Sequence, residues 1–519
     1  MKFGIDYRRL APIQFGSPYR ELLTFSNVAQ VIALTAASAR VLATSYTLYP
    51  VYNNYSAFVQ DTWRINPRLT LTYGLRYEIN PAPSEQNGNQ PLTVTGLDNI
   101  ANLALAPQRT ALYKTRYDDF APRLGIAFNP FAGKGTVIRA GFGLFYDLGY
   151  AFTGSAYSTT VYPFTTTISL ANASLSAPAL NTPPGPVNLN PPYGRLFAYY
   201  PGYDLPYTMQ YNVTIEQPVS RGGVISVAYV GADGNRLGRV TSLQNPGANL
   251  GPNFTRIDVV QDNGISNYTS LQIQFRQRLT HGLQVLSSYV WSKSLDEVSD
   301  ESTTNFQAPS TKLNPRMDYG PSAFDVRHSF SAGLTYSLPS STRGFGHALF
   351  GGWGADLLAQ ARSALPVNIL TGIDPFGLGY TTVSRPNLVP GQPLILNNPA
   401  VAGGIQFNPA AFSVPPTGVQ GNLGRNVLRG FAEYQVDFSL RREFPLFEHV
   451  KLQFRADAFN LFNHPNFANP SGVLTQSTFG TSTQMLGASL GSTGITGGFN
   501  PLYQIGGPRS FQLAAKFVF

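Results

Sequence analysis

The side chains able to do chemistry are few. Five histidines, His281, His328, His347, His449 and His464, are the imidazoles available as general bases or metal ligands. No two stand at the spacing that sets a ligand pair on one helix face. His281 and His449 sit in short turn segments and His347 next to one. His328 lies near the start of an alternating run, and His464 follows the end of another, so all five read as structural or interfacial. Asp325 and His328 could form a hydrolytic pair, but residues three apart on a strand project from opposite faces. Gly141-Phe142-Gly143 lies within an alternating run, and no helix N-terminus follows it to hold a phosphate. Gly231-Ala232-Asp233-Gly234-Asn235 faintly suggests a calcium loop but lacks the ligand spacing, and reads as a tight turn. There is no cysteine, which excludes thiol catalysis, disulfides and thiolate metal sites. These residues predict a protein that is not an enzyme and carries no metal or cofactor.

The remaining charge is thinly spread. Of 519 residues only 12% are charged, against roughly 25% in an average soluble protein. Gly (50), Pro (40), Tyr (28) and Phe (35) take that place, and the mean hydropathy is −0.08. No run approaches the ~20 apolar residues of a membrane helix, and the aromatic content is too high for a disordered chain. The net charge of +9 comes mostly from single arginines, not from the basic runs of a nucleic-acid surface, so nucleic acid is not an expected partner. An average of this kind suits β-structure with one oily and one wet face.

The elements that place these charges are strands. Leu69, Leu71, Tyr73, Leu75 and Tyr77 alternate with Thr70, Thr72, Gly74, Arg76 and Glu78. The same period of two runs through 120–128, 138–147, 270–278, 324–338, 434–440, 452–458 and 511–519. Apolar residues with terminal aromatics hold one face. Strands of ~10 residues with this pattern fit a membrane-spanning barrel, with apolar residues toward lipid and polar residues toward the lumen. Short links at 66–67, 132–135, 220–223, 280–282, 340–346 and 447–449 alternate with long ones at about 11–52, 81–116, 150–204, 236–266, 296–321, 365–430 and 465–506. That gives about 14 strands, with short periplasmic turns and long extracellular loops. The 22–39 stretch reads as a short helix in the first loop. Met1–Arg9 has no signal-peptide core and alternates from the outset, which predicts that the sequence begins inside a larger protein.

Particular strings carry a family likeness. Tyr55-Ser56-Ala57-Phe58-Val59-Gln60-Asp61-Thr62-Trp63 followed by Leu69–Glu78 resembles a hairpin of TonB-dependent outer-membrane receptors, most closely their Oar-like branch. Phe120–Gly125, Val137–Asp147, Tyr229-Val230-Gly231, Tyr289–Ser294, Phe324–His328, Arg385-Pro386-Asn387 and Phe454–Phe467 agree with that branch in order along the chain. The resemblance implies an all-β transmembrane antiparallel barrel of ~22 strands, of which residues 1–519 supply about 14. The plug, signal peptide and N-terminal β-sandwich of the family find no counterpart in the sequence. It also implies a Gram-negative outer-membrane location, lipid and the barrel-assembly machinery as partners, and the TonB system and plug in an intact protein. The closing Phe519 resembles the terminal aromatic signal read by that machinery.

The lumen-facing candidates on the polar register are Arg76, Glu78, Arg123, Arg139, Asp147, Arg276, Arg278, Asp325, Arg327, Asp437, Arg441, Arg455, Asp457 and Lys516. They could form cross-strand ion pairs, or bind a plug or a solute. The loop aromatics Tyr157, Tyr162, Tyr199, Tyr200 and Tyr203, with Tyr46, Tyr49, Phe164 and Tyr193, could recognise sugar or peptide or pack the loops. The expected function is energy-coupled uptake of an unidentified solute, carbohydrate or peptide among the candidates. A surface adhesion or secretion-linked barrel and a passive porin are the alternatives.

Overall fold

Alternation of apolar and polar residues over ~10 positions leaves the backbone one economical arrangement, pairing with its neighbours in an extended sheet. The computed structural model describes residues 1–16, 18–25, 28–44, 46–180, 182–244, 249–280, 282–299, 315–338, 351–376, 383–447, 450–487 and 506–518. Its main element is a sheet of fourteen long strands in chain order, each antiparallel to the next. They are β1 (Lys2–Leu10), β2 (Pro50–Asn66), β3 (Leu69–Ile79), β4 (Asp119–Phe128), β5 (Val137–Tyr146), β6 (Tyr207–Ser220), β7 (Gly223–Gln244), β8 (Phe254–Thr280), β9 (Leu283–Asp296), β10 (His328–Ser337), β11 (Trp353–Arg362), β12 (Glu433–Phe447), β13 (Val450–Phe459) and β14 (Ser510–Val518). The count and the up-and-down order are those the sequence predicts. Among the described residues the outer edges of β1 and β14 pair with no further strand.

The registers join the apolar positions into continuous rows. Ile126 lies opposite Ala140, Ala140 opposite Val213, Val213 opposite Tyr229, Tyr229 opposite Leu271, and Leu271 opposite Trp291. Leu334, Leu357, Phe438 and Ala458 continue such a row across β10 to β13. Trp291, Val213, Tyr229 and Phe454 are exposed. An uncovered apolar surface of this extent has no place in water and matches a lipid-facing band. Aromatics mark both ends of that band, with Trp63 at a short-turn end and the stacked pair Tyr77–Phe120 at a long-loop end. No helix among the described residues is long and apolar enough to cross a membrane.

The meander places the short turns at one end and the long connections at the other. Gly282, with φ +82°, shows why the short turns need glycine: a Cβ there would stand 2.1 Å from the Ser337 carbonyl oxygen. At the other end the chain builds a packed cap. Strands Tyr19–Thr24, Thr35–Thr44 and Thr165–Ser174 form a three-stranded sheet around Ala39, Val41, Ala173 and Leu180. Helix α1 (Val28–Ile32) joins the first two. The expected helix over 22–39 is thus a single turn between strands, because alternating Ala39 and Val41 bury against Thr165–Ser174. Helix α2 (Tyr150–Ala156) lays Phe152 against Gly238, where a Cβ would stand 2.2 Å from the ring.

The expected loop 236–266 is mostly hairpin. β7 and β8 run for 22 and 27 residues, about 70 and 90 Å at ~3.3 Å per residue, far beyond a hydrocarbon band of ~25 Å. Pairing continues because Val240, Ile257, Val259 and Val260 bury in the cap. A bulge between Gly234 and Leu237 redirects the strand. Gly231–Asn235 is therefore strand, neither a tight turn nor a cation loop. The expected strand 324–338 also starts later, at His328, because Asp325 is drawn into a turn by the Ser322 carbonyl and the Ser294 amide.

Candidate functional site

On the polar face of β9 to β13, long side chains reach across neighbouring strands. Asp356 accepts a hydrogen bond from the Thr335 hydroxyl at 2.8 Å and pairs with Arg441, which also reaches Ser337 Oγ at 3.2 Å. Arg455 pairs with Asp457 at 2.7 Å. Asp437 accepts from the Gln435 amide at 2.9 Å and from the Asn460 backbone at 2.8 Å. A cavity of about 370 Å³ opens beside Asp356, Asp437, Arg455 and Asp457. This surface can guide a polar solute by hydrogen bonds. Among the described residues no group of His, Asp and Glu is placed to hold a metal ion.

The other expected polar residues divide. Arg76 pairs with Glu78 at 2.7 Å and approaches Asp6 at 3.7 Å, two strands away. Arg139 meets Glu216 at 3.2 Å. Arg123 has an aromatic contact, lying 4.6 Å from the Phe145 ring centre, and that same ring covers Gly143. Arg276 lines a small cavity of about 270 Å³ near the short turns with Arg278, and Lys516 lies on the edge strand β14. Three candidates leave the strand register, Asp147, Asp325 and Arg327. Asp147 falls just past β5, where its carboxylate accepts the Gly149 amide at 3.0 Å before α2. Arg327 precedes β10 and stands 3.7 Å from Asp325, whose buried carboxylate also pairs with Arg429. These are anchors of connections, because a carboxylate between backbone amides and guanidiniums fixes a turn.

The two described histidines, His328 and His464, have separate partners. His328 Nδ1 lies 2.8 Å from the Tyr289 hydroxyl, and His464 packs against Tyr434 with ring centres 3.6 Å apart and planes tilted by 32°. Asp325 and His328 have separate partners, though not by strand alternation, since Asp325 lies in the turn before the strand. His281, His347, His449 and Phe519 lie outside the described residues, as does the turn 340–346.

Four of the five loop tyrosines are core. Tyr157, Tyr162, Tyr199 and Tyr203 are buried, and Tyr200 alone is exposed. Tyr199 and Tyr203 meet edge to face at 4.7 Å, and Tyr157 donates to the Pro83 carbonyl at 2.6 Å. Burial pushes the phenols of Tyr113, Tyr157 and Tyr199 above their ordinary value. The packing reading fits Tyr157, Tyr199 and Tyr203, whose rings lie in one core cluster, whereas Tyr162 also borders a cavity of the cap.

Sequence reading missed a buried ion network at the base of the cap. Arg239 lies 3.1 Å from Glu297 and 3.6 Å from Asp318. Arg385 reaches Asp318 at 2.6 Å and donates to the Leu423 and Met317 carbonyls, each at 2.9 Å. Arg425 pairs with Asp296 and donates to the Asp318 carbonyl at 2.7 Å. All three arginines are buried. Burial pushes the Glu297 carboxyl up, while Arg239 and Arg316 oppose the shift. The one signal in the sequence was the Arg385-Pro386-Asn387 string. The Phe454–Phe467 string likewise resolves into a locked strand exit. Asn460 donates to the carbonyls of His464 and Gly507, and Asn466 exchanges hydrogen bonds with the Tyr434 backbone.

An antiparallel meander with an oily face, a polar face and long connections gathered at one end defines an outer-membrane barrel. Residues 1–492 match the family described as outer membrane beta barrel domain. The chain belongs to that family, and its location is the Gram-negative outer membrane. No curated protein matches it in sequence. Among solved structures, it is similar to the outer membrane transporter YddB from Escherichia coli, with 11% identity and a TM-score of 0.49 over 99% of this chain and 54% of that one. It is also similar to the copper transporter OprC, with 12% identity and a TM-score of 0.43 over 100% and 57%. A third is the ferripyoverdine receptor of Pseudomonas aeruginosa, with 9% identity and a TM-score of 0.43 over 93% and 44%. The chain thus spans about half the length of these structures.

Proposed function

We propose that this chain forms the barrel wall of a TonB-dependent transporter, which takes up a solute across the outer membrane at the expense of the inner-membrane proton gradient. The observation that carries the reading is the pairing of a polar face laddered by charges with a cap whose loops are tied together by buried arginines. A passive pore needs the first feature and has no use for so elaborate a second. The motifs shared with TonB-dependent receptors support the same reading. The cap captures the solute, the polar face accompanies it, and the protein makes and breaks no covalent bond. A plug and the TonB system are partners of the intact protein.

The test is uptake of labelled tri- and tetrasaccharides, neutral and acidic, and of short peptides by a Gram-negative host expressing the gene in its full genomic frame. Accumulation that disappears in a strain lacking TonB, or with a protonophore, is the expected result. Equal uptake in both strains would establish a porin. Cell adhesion without uptake of any probe would establish an adhesin.

A further inference from the structure

A second cavity, of about 720 Å³, lies within the cap and is unusual in its charge. One wall is the three-stranded sheet. Register places Leu22 opposite Arg40 and Arg20 opposite Leu42, which sets both arginines on one face, while Glu21 projects from the other. The facing wall carries Arg195 from the strand Tyr193–Tyr199 and Arg256 from β8. Four guanidiniums therefore line one cavity.

Among the described residues, two of these guanidiniums share a carboxylate that is already engaged. Asp258 is fully buried and accepts from Arg195 Nε at 2.6 Å and from Arg256 Nε at 2.9 Å. Arg20 and Arg40 line the same space and have no ion-pair partner among the described residues. Burial pushes the Arg195 guanidinium down from its ordinary value; Asp258 opposes the shift, and the charges of Arg256 and Arg40 add to it. Cations brought together this way repel one another unless an anion sits between them. Guanidinium forks match carboxylate and sulfate oxygens two at a time. The rest of the lining is mixed: Thr167 and Asn188 offer hydrogen-bonding groups, and Leu22, Leu42, Tyr162 and Val187 offer apolar surface of the kind a sugar ring packs against. The volume lies in the ~300–1,000 Å³ range of small-ligand sites.

We propose that this cavity binds an acidic oligosaccharide, its carboxylate or sulfate groups held by Arg20, Arg40, Arg195 and Arg256. The inference rests on the transport reading only in naming that sugar as the solute; the binding itself does not depend on it.

The experiment is calorimetric titration of the full chain in detergent micelles with trigalacturonate, a sulfated heparin tetrasaccharide and neutral maltotriose. Vesicles containing lipopolysaccharide serve as a fourth arm. The acidic sugars are expected to bind, to weaken with added salt, and to outcompete maltotriose. Arg20→Glu and Arg40→Glu should each weaken binding about tenfold or more, the scale of one lost charge-assisted contact, with Arg40→Lys retaining part of it. Heat-modifiable gel mobility confirms that each variant is folded. Unchanged affinity in folded variants, equal binding of maltotriose, or binding to lipopolysaccharide vesicles alone would overturn the proposal. Acidic-sugar binding alongside uptake that ignores TonB would sink the transport reading and leave the site standing. TonB-dependent uptake without acidic-sugar binding would do the reverse.

Discussion

Asp318 offers the sharpest perturbation of the cap. Its carboxylate holds two buried guanidiniums, Arg385 at 2.6 Å and Arg239 at 3.6 Å. Asp318→Ala leaves both charges in place without that partner. Breaking a buried pair costs about 3–5 kcal/mol, mostly the penalty of an uncompensated charge. Here each arginine keeps other acceptors, Glu297 for Arg239 and two backbone carbonyls for Arg385, which argues for the lower end, about 3 kcal/mol. That is a local opening constant raised roughly a hundredfold or more. The assay is amide hydrogen exchange on the protein in micelles, followed at 315–325 and 383–388 and compared with strands β3 to β6. The cap segments should lose protection by that factor while the strands keep theirs. Exchange within about threefold of wild type in the cap would refute the idea that this network, and not apolar packing alone, ties the loops together.

Three further outcomes follow from the same structure. Ile273→Arg puts a charge on the lipid face and should destabilise the folded protein by about 2–4 kcal/mol if it lies near the bilayer midplane, whereas Gln274→Arg, on the polar face, should cost little; urea unfolding in lipid vesicles reads both. Asn466→Ala removes a fully buried amide bonded to both backbone groups of Tyr434, and should cost about 1–3 kcal/mol, seen as loosened protease resistance near 434 and 464. The phenols of Tyr113, Tyr157 and Tyr199 lie above their unfolded value of about 10, with burial as the leading cause. Their contribution is fully present below pH ~10 and is lost as pH rises through the folded values. Ultraviolet titration should therefore show these phenolates appearing together with loss of the cap, and ionisation in an intact cap would contradict the burial.

Much of the barrel was legible because a period of two is a strong code. Apolar and polar residues must fall on opposite faces of any strand, so Leu69–Glu78 announced both its element and its orientation. The alternation of Pro- and Gly-rich long links with short ones fixed the strand count. The expected cross-strand pairing appears in Arg441–Asp356 and Arg139–Glu216, while Arg76–Glu78 and Arg455–Asp457 pair within a strand, since residues two apart share a face.

The cap was not legible, and for a physical reason. Its contacts join residues far apart in the chain, as Arg425 joins Asp296, and nothing local marks either partner. Strand pairing beyond the membrane in β7 and β8 depends on Val240 and Ile257 finding a core supplied by other loops. The tyrosines looked like a binding surface because composition reports an aromatic and not its burial. The sequence by itself determined which face of each strand meets lipid and which residues share the polar face. Only the tertiary structure decided that Tyr157 and Tyr199 are core, that Asp147 and Arg327 anchor turns, and that Arg20, Arg40, Arg195 and Arg256 line one cavity, because those facts depend on which distant segments the folded loops bring together.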